Sequence, residues 1–342
     1  MLSRSQLHRV RTVVPVRAVA ACAFVALGAC AGDATSPRVG AGATLQITTT
    51  LQPLDTVREG RYVAWVIDGT GTATRLGVIT PGIAQSFLNP ADGAASIEIR
   101  LELPGVLGSR PSDRVILRGD FMNRHPTLSI AGAVTQEGEL RPRPGQFTMF
   151  TPSNNDVGGY PSREEAGVWL FNMKPSETEQ NDFYVRLTQL QNGWTYEGWM
   201  VRDLGSANEI WLSYGKFLPD WTGAANQPDD TGWGPFSGVA DYWNSRLEDF
   251  PGDDWISNPL KLPFPQQLQL PLDLREKDAS GKLRWTHVIT IEPMSDKGEA
   301  IGSERPFGIR PYVDPFGDLR AGDPRTISFH PENVPSGEVV VR

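Results

Sequence analysis

The residues best suited to covalent chemistry in this chain stand together as Leu27-Gly28-Ala29-Cys30. A cysteine thiol is the nucleophile that lipid transfer onto a protein requires, and small residues at Gly28 and Ala29 suit a signal peptidase, so the four read as a lipobox. Upstream, Arg4, Arg9, Arg11 and Arg17 form a basic region. Residues 18–29 then form an uncharged apolar run too short to span a bilayer as a permanent helix. The expectation is an exported, diacylated protein that begins at Cys30 and is held to membrane lipid by its acyl chains. In a two-membrane envelope, Ala31 in place of an Asp behind that cysteine favours the outer membrane. The other cysteine, Cys22, falls in the discarded segment, which excludes a disulfide, a thiolate metal site or a cysteine nucleophile from the mature chain.

No other residue pattern assembles a catalytic set. His125, His287 and His330 are far apart, and His287 shares strand parity with Trp285, Ile289 and Ile291, the position of a core or interface histidine. His-Glu-x-x-His, Gly-x-Ser-x-Gly and phosphate-loop motifs are all missing. Carboxylates are too numerous for sequence to pair any two as acid and base. One region concentrates polar and aromatic groups, with Asp229, Asp230, Asp253 and Asp254 among Trp221, Trp233 and Trp243. Indoles beside carboxylates can stack on a pyranose and accept its hydroxyl hydrogen bonds, which makes Trp221, Trp233 and Trp243 candidate contacts for a ligand or partner. The same oxygen density could hold Ca²⁺ at Asp253 and Asp254, although no EF-hand spacing is present and a solvated acidic loop explains it as well. No cofactor is otherwise expected.

The elements that must position these residues are strands. Ile97, Ile99, Leu101 and Leu103 alternate with Glu98, Arg100 and Glu102, which puts one face in a core and the other in water. Leu268, Leu270, Leu272 and Leu274 alternate in the same way. Further strands are expected within 45–51, 62–67, 115–118, 167–171, 183–188, 196–201, 210–214, 285–292 and 337–341. The best helical pattern, 240–249, is shorter than a usual helix. With 35 Gly and 28 Pro punctuating these runs, the expected class is all-β, built from two β-sandwich modules in tandem. The boundaries follow as signal peptide 1–29, lipidated tether 30–43, first module 44–150 and second module 151–342, the last with a long aromatic and acidic insertion at about 218–260. A net charge of −8 argues against nucleic acid as a partner.

Two modules are expected because Tyr62-Val-Ala-Trp65-Val-Ile67 and Gly77 have counterparts in Tyr196-Glu-Gly-Trp199-Met-Val201 and Gly215. Tyr62, Trp65, Tyr196 and Trp199 would then be equivalent core anchors. In this alignment, residues 45–49 correspond to 185–189, and Val115-Ile-Leu117 to Val288-Ile-Thr-Ile291.

With Gly193-Trp194-Thr195-Tyr196-Glu197-Gly198-Trp199, Ser213-Tyr214-Gly215-Lys216-Phe217, Phe250-Pro251-Gly252-Asp253-Asp254 and Thr290-Ile291-Glu292-Pro293, the second copy resembles the extracytoplasmic C-terminal domain of anti-sigma-K (RskA-type) factors. The resemblance covers about half of the mature chain and implies a sandwich fold. It does not carry the family's regulatory role across, because a lipobox places everything after Cys30 outside the cytoplasm and leaves no domain to hold a sigma factor. The functional expectation is a non-catalytic envelope lipoprotein that binds or scaffolds another envelope component, with a glycan-binding module as the alternative.

Overall fold

The computed structural model describes residues 38–105, 108, 110–122, 124–151, 164–170, 186–219, 251–258, 261, 263–294, 306–316 and 323–342. Ser36–Arg342 form one compact unit. Its regular structure among the described residues is antiparallel β, apart from 3-10 turns at Glu164–Ala166 and Pro331–Asn333. No helix among these residues is long and apolar enough to cross a membrane.

The strands are β1 (Thr44–Thr49), β2 (Arg61–Asp68), β3 (Ala73–Ile79), β4 (Gln85–Leu88), β5 (Ala94–Glu102), β6 (Val115–Asp120), β7 (Thr127–Leu128) and β8 (Gln146–Met149). They continue as β9 (Gly167–Trp169), β10 (Trp194–Arg202), β11 (Ile210–Phe217), β12 (Gly252–Asp254), β13 (Trp285–Pro293), β14 (Ile309–Pro315), β15 (Arg325–Thr326) and β16 (Gly337–Val341). Four sheets result, ordered β3-β2-β5-β6, β4-β1-β16-β7, β11-β10-β13-β14 and β12-β9-β8-β15. The first two carry one module and the last two the other. Phe87 of β4 crowds Gly77 of β3 across the first pair, and Phe147 of β8 lies 4.3 Å from His287 of β13 across the second. Face-to-face sheets of this kind bury one side of each strand.

The duplication is visible in the registers. Ala64 pairs with Gly77 and Gly198 with Gly215, and in both modules the ladder skips a residue immediately before Trp65 or Trp199. A second shared irregularity falls after Ile99 in β5 and after Ile289 in β13. A bulge repeated at equivalent places is a structural feature and not a defect. The flanking equivalences differ from those expected. By sheet order the counterpart of β1 is β9 and not residues 185–189, and the counterpart of β6 is β14, whereas Val288–Ile291 lie in β13, the counterpart of β5.

The linear partition at residue 150 does not describe how the modules are built. β8 follows the first seven strands in sequence, yet it pairs with β9 and β15 of the second module, while β16 returns to pair with β1 and β7 of the first. The two strands occupy the same place in their sheets. Gly337 lies opposite Leu128, and Ile327 N–H donates to Gly145 O at 3.0 Å at the corresponding position. Each module therefore completes its eight strands with one from the other half of the chain, and a single apolar core runs from Val39 to Val339.

The strand expected at 268–274 is absent, and the described part of the one expected at 183–188 is not strand. Residues 268–274 are irregular with Leu268, Leu272 and Leu274 buried, because Pro271 has no N–H for a ladder. Residues 186–188 are irregular as well, and 183–185 lie outside the described residues. So does the helical pattern at 240–249.

Candidate functional site

Spacing within Tyr-x-x-Trp decides what the two aromatics do, because residues three apart on a strand point to opposite faces. All four expected anchors are buried, but Tyr62 and Tyr196 belong to the core between the sheets, and Trp65 and Trp199 lie on the other side. Gly198 shows why the inner side of β10 needs no side chain there: a Cβ would fall 1.7 Å from the Tyr214 ring.

The outer faces of the two modules have diverged. Around Trp65 the first carries an ion ladder in which Glu102 meets Arg61 at 3.1 Å and Glu98 meets Arg118 at 3.6 Å and also Arg100. In the second, Trp199 forms a separate apolar patch with Val201 and Val288, and Leu204, Trp211 and Val313 pack on it. Trp199 Nε1 donates to Thr290 Oγ1 at 3.0 Å, and Thr290 Oγ1 lies 2.5 Å from Glu292 Oε1. The Phe307 N–H also donates to Glu292 Oε1, at 2.8 Å. Burial pushes the Glu292 carboxyl up to about 7 against these hydrogen bonds and the positive charges of Lys216 and Arg310. Nearby, Glu197 accepts from Ser213 Oγ at 2.8 Å and lies 3.7 Å from Lys216 Nζ.

A cleft of about 970 Å³ opens beside this patch. Its floor includes Val288, Val313 and Trp211, whose ring stands edge-on to Trp199 with centroids 5.7 Å apart. Arg310 lies over the Trp211 ring with Cζ 4.7 Å from the centroid, a cation–π contact. Burial pushes the Arg310 guanidinium down from its ordinary range, while Glu209, Glu292 and Glu59 favour its charge. The lining also takes in the segment between β1 and β2, including Gln52, Asp55 and Glu59. Gly308 lets that segment close in, since a Cβ there would meet Gln52 Cβ at 2.9 Å. The cleft thus lies where the two modules meet, lined by an indole, one guanidinium and several carboxylates. Such a lining recognises polar ligands by hydrogen bonds and charge, with an apolar floor for a ring or aliphatic face.

The residues singled out by sequence are distributed differently. Trp221, Trp233 and Trp243 lie outside the described residues, as do Leu27, Gly28, Ala29 and Cys30. Asp253 and Asp254 belong to β12 and are fully buried, with the Asp254 N–H donating to Asp253 Oδ1 at 2.7 Å. They are not in a solvated loop, and strand alternation sends neighbours to opposite faces, a poor start for two ligands of one Ca²⁺. Among the described residues no three His, Cys, Asp or Glu side chains gather as a metal site would require. His287 is a core residue, its Nε2 2.9 Å from Tyr214 Oη. Sequence reasoning missed Trp211 and Arg310, although the outward parity of Trp199 pointed to the face they share. Compared with known proteins, the chain matches no family model, no curated protein and no solved structure.

Proposed function

We propose that the protein is a non-catalytic envelope lipoprotein, anchored through Cys30 outside the cytoplasm, that binds another envelope component in the cleft between its two modules. The observation that carries the binding part is the cleft itself, with Trp211, Arg310, Asp55 and Glu59 in its lining. A glycan is the second reading, favoured by an indole beside carboxylates, a combination that accepts sugar hydroxyls and packs a pyranose face. An anti-sigma role remains outside the proposal because the anchor places the module on the wrong side of the membrane for a sigma factor.

The anchor is tested by Cys30→Ser. Serine cannot form the thioether, so the variant is expected to lose acylation and detergent partitioning, and processing identical to wild type would refute the lipidation. The cleft is tested with Trp211→Ala and Arg310→Ala in calorimetric titrations against a polysaccharide panel and in photo-crosslinking from Gln52 in intact envelopes. Either variant should weaken binding about thirtyfold, as at interface hot spots, with the circular dichroism of the folded protein retained. Undiminished crosslinking and titration in both variants would place the ligand elsewhere.

A further inference from the structure

We propose that a second site, a basic cleft at the junction of the first and last strands, binds the phosphate of an anionic membrane lipid. The cleft has a volume of about 260 Å³ and is lined by Arg38, Arg124 and Arg342 around Phe121, Val39 and Val341. Its three arginines are exposed, and among the described residues none makes an ion pair with a carboxylate. Elsewhere in this acidic protein Arg61, Arg100, Arg118, Arg202 and Arg284 are each paired with a carboxylate. Asp92, near Gly40, accepts the Ala41 N–H at 2.8 Å.

The three backbones that carry these arginines are fixed to one another. Val39 and Ala94 exchange both hydrogen bonds at 3.0 Å, and Asn89 Nδ2 donates to Gly40 O at 3.0 Å. Thr44 and Arg342 exchange bonds at 3.0 and 2.9 Å, and the Val341 N–H donates to Arg124 O at 3.0 Å. Arg342 Nη2 is further held by Gln46 Oε1 at 2.8 Å. Guanidinium groups match phosphate oxygens in a bidentate way, and backbones already fixed to one another leave only the side chains to be ordered on binding. The overall net charge of −8 does not oppose this, because at physiological ionic strength charges beyond about 8 Å are largely screened.

The choice of a lipid as the source rests on the anchor reading. Arg38 lies eight peptide steps after Cys30, a span of at most about 29 Å, so acylation would hold the cleft near the headgroup layer. Met122, 65% exposed beside Phe121, supplies an apolar contact for that layer. Binding would orient the module on the membrane and leave the acyl chains to supply most of the attachment.

The experiment uses the anchor-free unit Ser36–Arg342, which holds the whole core, so that it does not depend on acylation. Wild type is expected to cosediment with phosphatidylglycerol-containing vesicles and not with pure phosphatidylcholine vesicles, and to be released by 0.5 M salt. Arg38→Gln, Arg124→Gln and Arg342→Gln should each lower partitioning about fivefold, with Arg124→Lys retaining most of it and melting temperature unchanged throughout. Partitioning indifferent to all three substitutions, or absent in wild type, overturns the proposal. A melting-temperature rise with inorganic phosphate alone, lost in the triple variant and without vesicle binding, would assign the cleft to soluble phosphate and overturn the lipid assignment. Failure of the Cys30→Ser test would be read separately, as loss of the anchor and not of this cleft.

Discussion

Replacing Val339 by Asp is expected to unfold both halves of the protein in one transition, although the residue lies within five positions of the C-terminal Arg342. Val339 is fully buried in β16, which completes the sheet of the first module between β1 and β7. An unpaired carboxylate there costs several kcal/mol, a large part of the roughly 5 to 15 kcal/mol by which a domain is stable. Loss of β16 exposes β1, and the common core passes the damage to the second module. Phe147→Asp in β8 should act reciprocally, removing a ring that packs at 5.4 Å on Phe316 and belongs to the second module. Nine of the ten tryptophans lie beyond residue 150, so fluorescence reports mainly the second module, and circular dichroism reports the whole. Wild type should give coincident denaturation curves by both probes, and each variant should shift them together. Independent transitions, with Val339→Asp shifting the circular dichroism curve but not the fluorescence of the second module, would show that the exchanged strands do not couple the modules.

Acidification should weaken the fold through His287. Its ring is fully buried, stacked 5.8 Å from Tyr214 and 4.3 Å from Phe147, with Nδ1 4.0 Å from Asp314 Oδ2 and so beyond hydrogen-bond reach. Burial first, and Arg325 second, pushes its pKa down from 6.5 to about 3. Between those values the unfolded chain binds a proton that the folded protein refuses, so stability present above pH 6.5 is lost as pH falls toward 3. The slope reaches about 1.4 kcal/mol per pH unit, and the sum across the window is several kcal/mol. Glu292 and Asp314 act in the opposite direction, because burial raises both and favours their protonated forms in the folded state. Their stabilisation is present at low pH and is lost as pH rises through the folded-state value, about 7 for Glu292. His287→Gln isolates the histidine, since glutamine keeps a partner for Tyr214 Oη and does not titrate. Urea midpoints at pH 7, 5.5 and 4 should fall more steeply for wild type than for the variant. Parallel curves would mean that His287 is protonated in the folded protein.

Alternation of apolar and polar residues determined the class and most of the long strands, because a strand with one face in a core must repeat every two residues. Residues 62–67, 97–102, 196–201 and 285–292 are strand in the structure, and 337–341 coincide with β16. Short strands such as β4, β7, β12 and β15 were not legible, since two to four residues carry no period. The run of leucines from Leu268 misled because period two records burial, and Pro271 removes the donor that a ladder also needs. Parity within Tyr-x-x-Trp was legible in principle and separates an inner tyrosine from an outer tryptophan. What period cannot encode is which module a strand joins. β8 and β16 have the same place in their sheets and follow equivalent strands, so either could complete either module, and only the packing of the whole chain sends each to the other half. The clefts follow from that decision. Arg38, Arg124 and Arg342 are brought together because β16 pairs with β1 across nearly the full length of the chain. Trp211, Arg310, Asp55 and Glu59 line one cleft because the two modules meet there. Both are products of long-range pairing, for which a single sequence carries no local signal.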